Sequence, residues 1–209
     1  MTLNSEDLLQ SILDSLDRVN HIRPEDIPDI ELYMDQVTTF MGSRLKSSTR
    51  NPEEDKILTK TMINNYAKND LLPPPIKKKY SKEHVLVLIF IYYYKGIMSI
   101  NDIQTILKPI TDEFFSKNDG FKLEDVYNEV FSLEQEEVEY LKRDIAAKFC
   151  KAESTFENAP EKDQKFLRMF SFICMLSFDV YVKKLIIEKL IDSYKQEQAA
   201  NADRVKHKK

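Results

Sequence analysis

Residues 59–107 read TKTMINNYAKNDLLPPPIKKKYSKEHVLVLIFIYYYKGIMSINDIQTIL. Thr59 is a candidate N-cap for a short helix running from Lys60 to about Asp70. At 100° per residue Met62, Ile63, Tyr66 and Asp70 share one arc, and Lys60, Thr61, Asn64 and Lys68 fall opposite. Pro73-Pro74-Pro75 stops this helix and forces an extended segment. Ser81 caps the next helix, which reaches Lys95 and is apolar almost all round, so it is expected to be buried. Gly96 suits its C-terminus. Ser99 and Asp102 form a capping box for a further helix, with Ile100, Ile103, Ile106 and Leu107 facing inward.

The flanking chain is helical too. Leu8, Leu9, Ile12, Leu13, Leu16 and Val19 recur at helical spacing after Asn4-Ser5, and Pro24 and Pro28 end that helix. A second helix is expected from about Pro28-Asp29, with Ile30, Tyr33, Val37, Phe40 and Met41 on one stripe. Residues 46–57 read as a polar loop. Asp125 to Phe131 is a short helix, and Ser132-Leu133-Glu134-Gln135 reads as a capping box for a helix carrying Val138, Leu141, Ile145 and Phe149. Pro160 opens a long helix to about Tyr194, and the polar tail from Gln196 is expected to fray.

Composition agrees with an all-α fold. Glycine occurs only 3 times in 209 residues, where average usage of about 7% gives nearly 15. Hairpins and phosphate loops lean on glycine, so at most a minimal β wing is expected, near residues 73–80. Rossmann and P-loop fingerprints are absent. Cys150 and Cys174 form no CxxC pair, and His21, His84 and His207 are scattered, so neither a metal nor any other cofactor is expected. The acidic N-terminal stretch is unlike a signal peptide, and no apolar run approaches the ~20 residues of a spanning helix. A cytoplasmic protein without membrane contact is the expectation.

Charge is uneven. Residues 1–43 carry net −7, residues 44–82 net +6, and residues 83–209 net −3. Seven lysines and one acid, Asp70, lie from Lys56 to Lys82. Such a basic segment can bind phosphate, or it can be a solvated surface offsetting the acidic arm. Its outward helical face carries Lys60, Thr61, Asn64 and Lys68, where Asn can read adenine and Lys and Thr can reach bases or phosphates. Lys77, Lys78, Lys79 and Tyr80 follow as a basic-aromatic cluster.

The order of these motifs resembles the DNA-binding head of MerR-type regulators and related excisionase-like winged helices. Thr59 matches the cap, Ile63-Asn64-Asn65-Tyr66 the I-R-Y-Y-like recognition helix, and Leu71-Leu72-Pro73 the L-L-P. Lys77-Lys78-Lys79-Tyr80-Ser81-Lys82-Glu83-His84 matches the wing end and next cap, and Gly96 with Ser99-Ile100-Asn101-Asp102-Ile103 the last element. The chain departs in a loop of about a dozen residues before the recognition helix, in Asn64 and Asn65 replacing Arg and Tyr, and in a short wing lacking Gly. The signature TKTMINNY…LLPPP…KKKYS also resembles an uncharacterised bacterial family of cytoplasmic proteins, a domain of unknown function.

The likeness implies an N-terminal helical arm (1–29), a winged helix-turn-helix head (30–108), a helical dimerisation or effector region (109–195) and a polar tail (196–209). The expected function is a homodimeric transcriptional regulator binding double-stranded DNA. Its interface would be Thr59, Lys60, Thr61, Asn64, Asn65, Lys68, Lys77, Lys78, Lys79 and Tyr80. A non-catalytic adaptor that keeps the head without DNA binding is the alternative. No nucleophile–base or metal constellation favours an enzyme. The other sharp candidates have plainer readings: His84 as a cap, Tyr92-Tyr93-Tyr94 largely as core, and Glu134, Glu136, Glu137 and Glu139 as a solvated face. Met169 to Met175 reads as core or dimer seam, or else the wall of a small-molecule effector pocket.

Overall fold

The computed structural model describes residues 5–16, 22–46, 49–51, 54, 57–117 and 119–206. Among these the fold is all-α apart from one two-stranded antiparallel ribbon. The chain divides into two compact units, one of residues 1–20 and 132–186, the other of residues 21–131 and 187–209.

The second unit is built around a buried helix. A 3-10 turn, Pro24–Asp26, leads to strand β1, Leu32–Tyr33, and then to α2, Met34–Leu45. Helix α3, Lys60–Lys68, precedes strand β2, Lys79–Tyr80. Then come α4, Lys82–Tyr94, α5, Ile100–Phe114, and α6, Leu123–Ser132. In α4 every residue from His84 to Ile91 is buried, as an all-apolar helix requires. Val37, Met41 and Leu45 of α2, Ile63 and Tyr66 of α3, Ile103 and Leu107 of α5, and Tyr127 of α6 join it in one core. The Tyr127 hydroxyl donates to the Ile22 carbonyl at 2.6 Å, tying the end of this core to its beginning. Lys95 donates to the Ile57 carbonyl at 2.6 Å, which holds the loop ahead of α3.

The first unit comprises α1, Ser5–Leu16, α7, Glu134–Glu153, and the first part of α8, Glu161–Lys206. Phe149, Ala152 and Phe172 form its small core, with Leu9, Ile12, Ile145 and Leu176 against it. Lys148 bonds Asp144 of its own helix and Asp179 of α8, the latter at 2.7 Å. The loop between α7 and α8 is held by Arg168, whose Nε donates to the Thr155 carbonyl at 3.2 Å, and by Gln164, which donates to the Ala159 carbonyl at 2.9 Å.

Several expectations need correcting. The second helix begins at Met34, because Leu32 and Tyr33 form a strand, and Ile30 and Tyr33 are exposed. Ser132 ends α6, and the residue directly ahead of α7 is Leu133, itself in helical geometry. Ile100, in the first turn of α5, points to solvent. The tail stays helical to Lys206. Asn4, Val19, His21 and His207 lie outside the described residues, as do the side chains of Glu134 and Glu136. Among the described residues no helix is long and apolar enough to cross a membrane, and no cluster of acidic, His or Cys residues could hold a metal ion.

Candidate nucleic-acid interface

Helix α3 is fixed at both ends by its own sequence. Thr59, in extended geometry, accepts the Met62 N–H through its hydroxyl at 3.2 Å. At the other end Asp70 takes φ 52°, and the Leu71 N–H reaches back to the Tyr66 carbonyl at 2.9 Å. That is a Schellman closure with Asp where Gly is usual. The helix therefore stops before the three prolines, not because of them. Leu71 and Leu72 are buried just beyond and anchor the turn in the core.

With Ile63 fully buried and Tyr66 nearly so, the opposite face of α3 is set. Lys60, Thr61, Asn64, Asn65 and Lys68 are all exposed. Gln104 of α5 donates to the Asn69 carbonyl at 2.9 Å and holds the C-terminal end.

The wing is a tight turn built without glycine. Lys77 and Lys78 have φ 51° and 66°, and the Lys79 N–H donates to the Ile76 carbonyl at 2.9 Å. Two successive left-handed central residues define a type I′ turn, the hairpin turn that usually takes Asn-Gly. The scarcity of glycine thus did not prevent a hairpin, and two lysines carry the strain. From the turn, β2 pairs antiparallel with β1, Leu32 opposite Tyr80 and Tyr33 opposite Lys79.

Ribbon and helix share one surface. Lys79 pairs with Glu31 at 3.3 Å and lies over the Tyr33 ring at 5.7 Å. Lys60 pairs with Asp35, two residues after Tyr33. Lys68, Lys77 and Lys78 make no ion pair among the described residues.

Behind the wing, His84 seals the start of α4. The Ser81 N–H donates to its Nδ1 at 3.0 Å, and the ring packs edge-on against Tyr80 and Phe115. The imidazole is buried, and burial holds its pKa below the usual histidine value despite the carbonyls of Pro74 and Pro73. His84 is a cap rather than a base.

Residues 22–130 match the family described as Domain of unknown function (DUF1836). The chain belongs to this family. Comparison with curated proteins finds no match, and comparison with solved structures finds none. The DUF1836 span opens at Ile22, which takes the Tyr127 hydroxyl, and closes beside Phe131, which packs on Tyr127 at 4.4 Å. The family segment is thus the contiguous part of the second unit, and it contains the whole basic surface.

Nine of the ten residues expected at an interface are exposed or half-exposed in the DUF1836 domain. The tenth, Tyr80, is 3% exposed with its ring in the core, because strand alternation turns it inward when Lys79 faces out. Thr59 acts through its cap. Sequence reasoning missed Glu31, Tyr33 and Asp35. The alternation of Ile30-Glu31-Leu32-Tyr33 was the available strand signal, and the helical stripe drawn through Ile30 and Tyr33 obscured it.

Proposed function

We propose that the DUF1836 domain is the DNA-binding head of a MerR-like transcriptional regulator acting in a bacterial cytoplasm. The observation that carries this reading is the exposed polar face of α3 beside a strained two-lysine turn. Non-glycine residues held left-handed cost about 1–3 kcal/mol each, and such strain clusters at functional sites. In this reading Thr61, Asn64 and Asn65 probe base edges in the major groove. Lys60, Lys68, Lys77 and Lys78 meet phosphates, which fix register without reading sequence. A β-ribbon beside α3, which packs near α2, supports this reading.

A regulator of this kind works as a dimer, and α8 offers a surface for one. Phe170, Ile173, Phe178, Val180, Tyr181 and Leu185 are 46–65% exposed. They fall within about 160° of one another on the helix, opposite buried Phe172. At ~150–250 Å² per large side chain, they expose roughly 600 Å². That is the upper limit of the largest patch on most monomers and close to the ~800 Å² each partner buries in a stable interface.

The test is duplex binding against salt. Four phosphate contacts per head give a log–log slope of about −3.6 per head. Absence of duplex binding at low salt would end the regulator reading. It would favour the adaptor, for which the pairing of Lys60 and Lys79 with Asp35 and Glu31 is the supporting observation.

A further inference from the structure

A cavity of about 360 Å³ opens in the first unit among α1, α7 and the start of α8. Its volume lies at the small end of the range that takes small organic ligands. Buried Phe149, Ala152 and Phe172 form its floor. Its charged residues are three cations, Lys162, Lys165 and Arg168, against one carboxylate, Glu153.

Along α8 the lining is mostly cationic near the helix start and apolar toward Phe172, with Phe166 lying between Lys165 and Arg168. Lys162, Lys165, Met169 and Phe172 follow at helical spacing down one flank, cations first and apolar groups after. Arg168 is oriented beforehand: its Nε is held by the Thr155 carbonyl and its Nη2 by Gln164 Oε1, both at 3.2 Å. A ligand matching this surface has an anionic head and an unbranched apolar tail.

We propose that this cavity binds a small amphiphilic monoanion of the medium-chain carboxylate class, with its chain over Phe149 and Phe172 and its carboxylate drawn chiefly to Lys162 and Lys165, beside Arg168. The proposal does not depend on DNA binding. The occupant is a free monomer, not a lipid in a bilayer or a second copy of the chain.

Calorimetry on the full chain tests it, using hexanoate, octanoate and decanoate below their micelle concentrations, with 1-octanol and octyltrimethylammonium as controls. One site per chain is expected, with affinity rising about fourfold per methylene until the cavity is full. Octanoate should bind at least about fivefold more tightly than 1-octanol. The Lys162→Gln/Lys165→Gln variant should lose that preference while melting as the wild type does. Equal binding of octanoate and 1-octanol, affinity independent of chain length, or no binding at millimolar octanoate would each overturn the proposal. So would binding to phosphatidylglycerol vesicles alone, or a self-association that excludes octanoate. Should the double variant fold poorly, the wild-type chain-length series and the charge comparison still decide.

Discussion

Lys77 and Lys78 carry two properties that a substitution can separate. Each is a charge at the tip of the ribbon, and each occupies a backbone conformation that suits Asn or Gly. Lys77→Asn/Lys78→Gly should therefore stabilise the protein, by about 1 kcal/mol after the entropy of the new glycine is counted. The same change should flatten the salt dependence of duplex binding by about 1.8 per head. Denaturant midpoints and salt titrations read the two effects independently, and a loss of stability would show that the turn needs its lysines. His84 makes a second residue-scale prediction. Its folded pKa lies below its unfolded value, so the unfolded chain binds more protons in between. Stability is complete above the ordinary histidine value and declines as pH falls below about 6.5, by at most about 1.4 kcal/mol per pH unit. His84→Gln keeps an acceptor at the third helical position for the Ser81 N–H. Melting temperatures between pH 5 and 7 should be flatter in that variant, and an unchanged acid slope would point to another group.

Helix α3 divides cleanly between stability and recognition. Ile63 has no exposed surface, so Ile63→Ala should cost about 2–5 kcal/mol of folding free energy. Asn64, one residue on, is exposed and makes no side-chain hydrogen bond among the described residues. Asn64→Ala should leave folding within ~0.5 kcal/mol of wild type and cost ~1–3 kcal/mol at particular base pairs only. Denaturation curves and a binding-site selection measure the two sides. A large stability loss at Asn64, or uniform weakening on all sequences, would contradict a base-reading role.

For the whole molecule, the decisive quantity is assembly. Light scattering should give a dimer mass at micromolar concentration, and Ile173→Glu/Val180→Glu should give a monomer of unchanged helix content. Cys174 is exposed and lies within the same arc of α8 as those two residues. Mild oxidation should cross-link a dimer that Cys174→Ser abolishes and Cys150→Ser, on α7, does not. A monomer mass at tens of micromolar would remove the α8 interface and with it the two-fold recognition of half-sites.

The sequence alone determined the local elements whose signals are covalently near. The Thr59 and Ser99 caps, the buried run from His84 to Ile91 and the polar face of α3 depend on residues within a turn or two, where period and capping act directly. It was silent or misleading where a distant partner decided the outcome. Tyr33 fits a helical stripe until β2, more than forty residues on, supplies the hydrogen bonds that make Leu32 and Tyr33 a strand. Lys77 and Lys78 sit in a turn that local propensity disfavours, because the strand pairing and the buried Tyr80 hold it there. Burial and backbone pairing summed over the core outweigh a local cost of a few kcal/mol, and only the tertiary structure carries that sum.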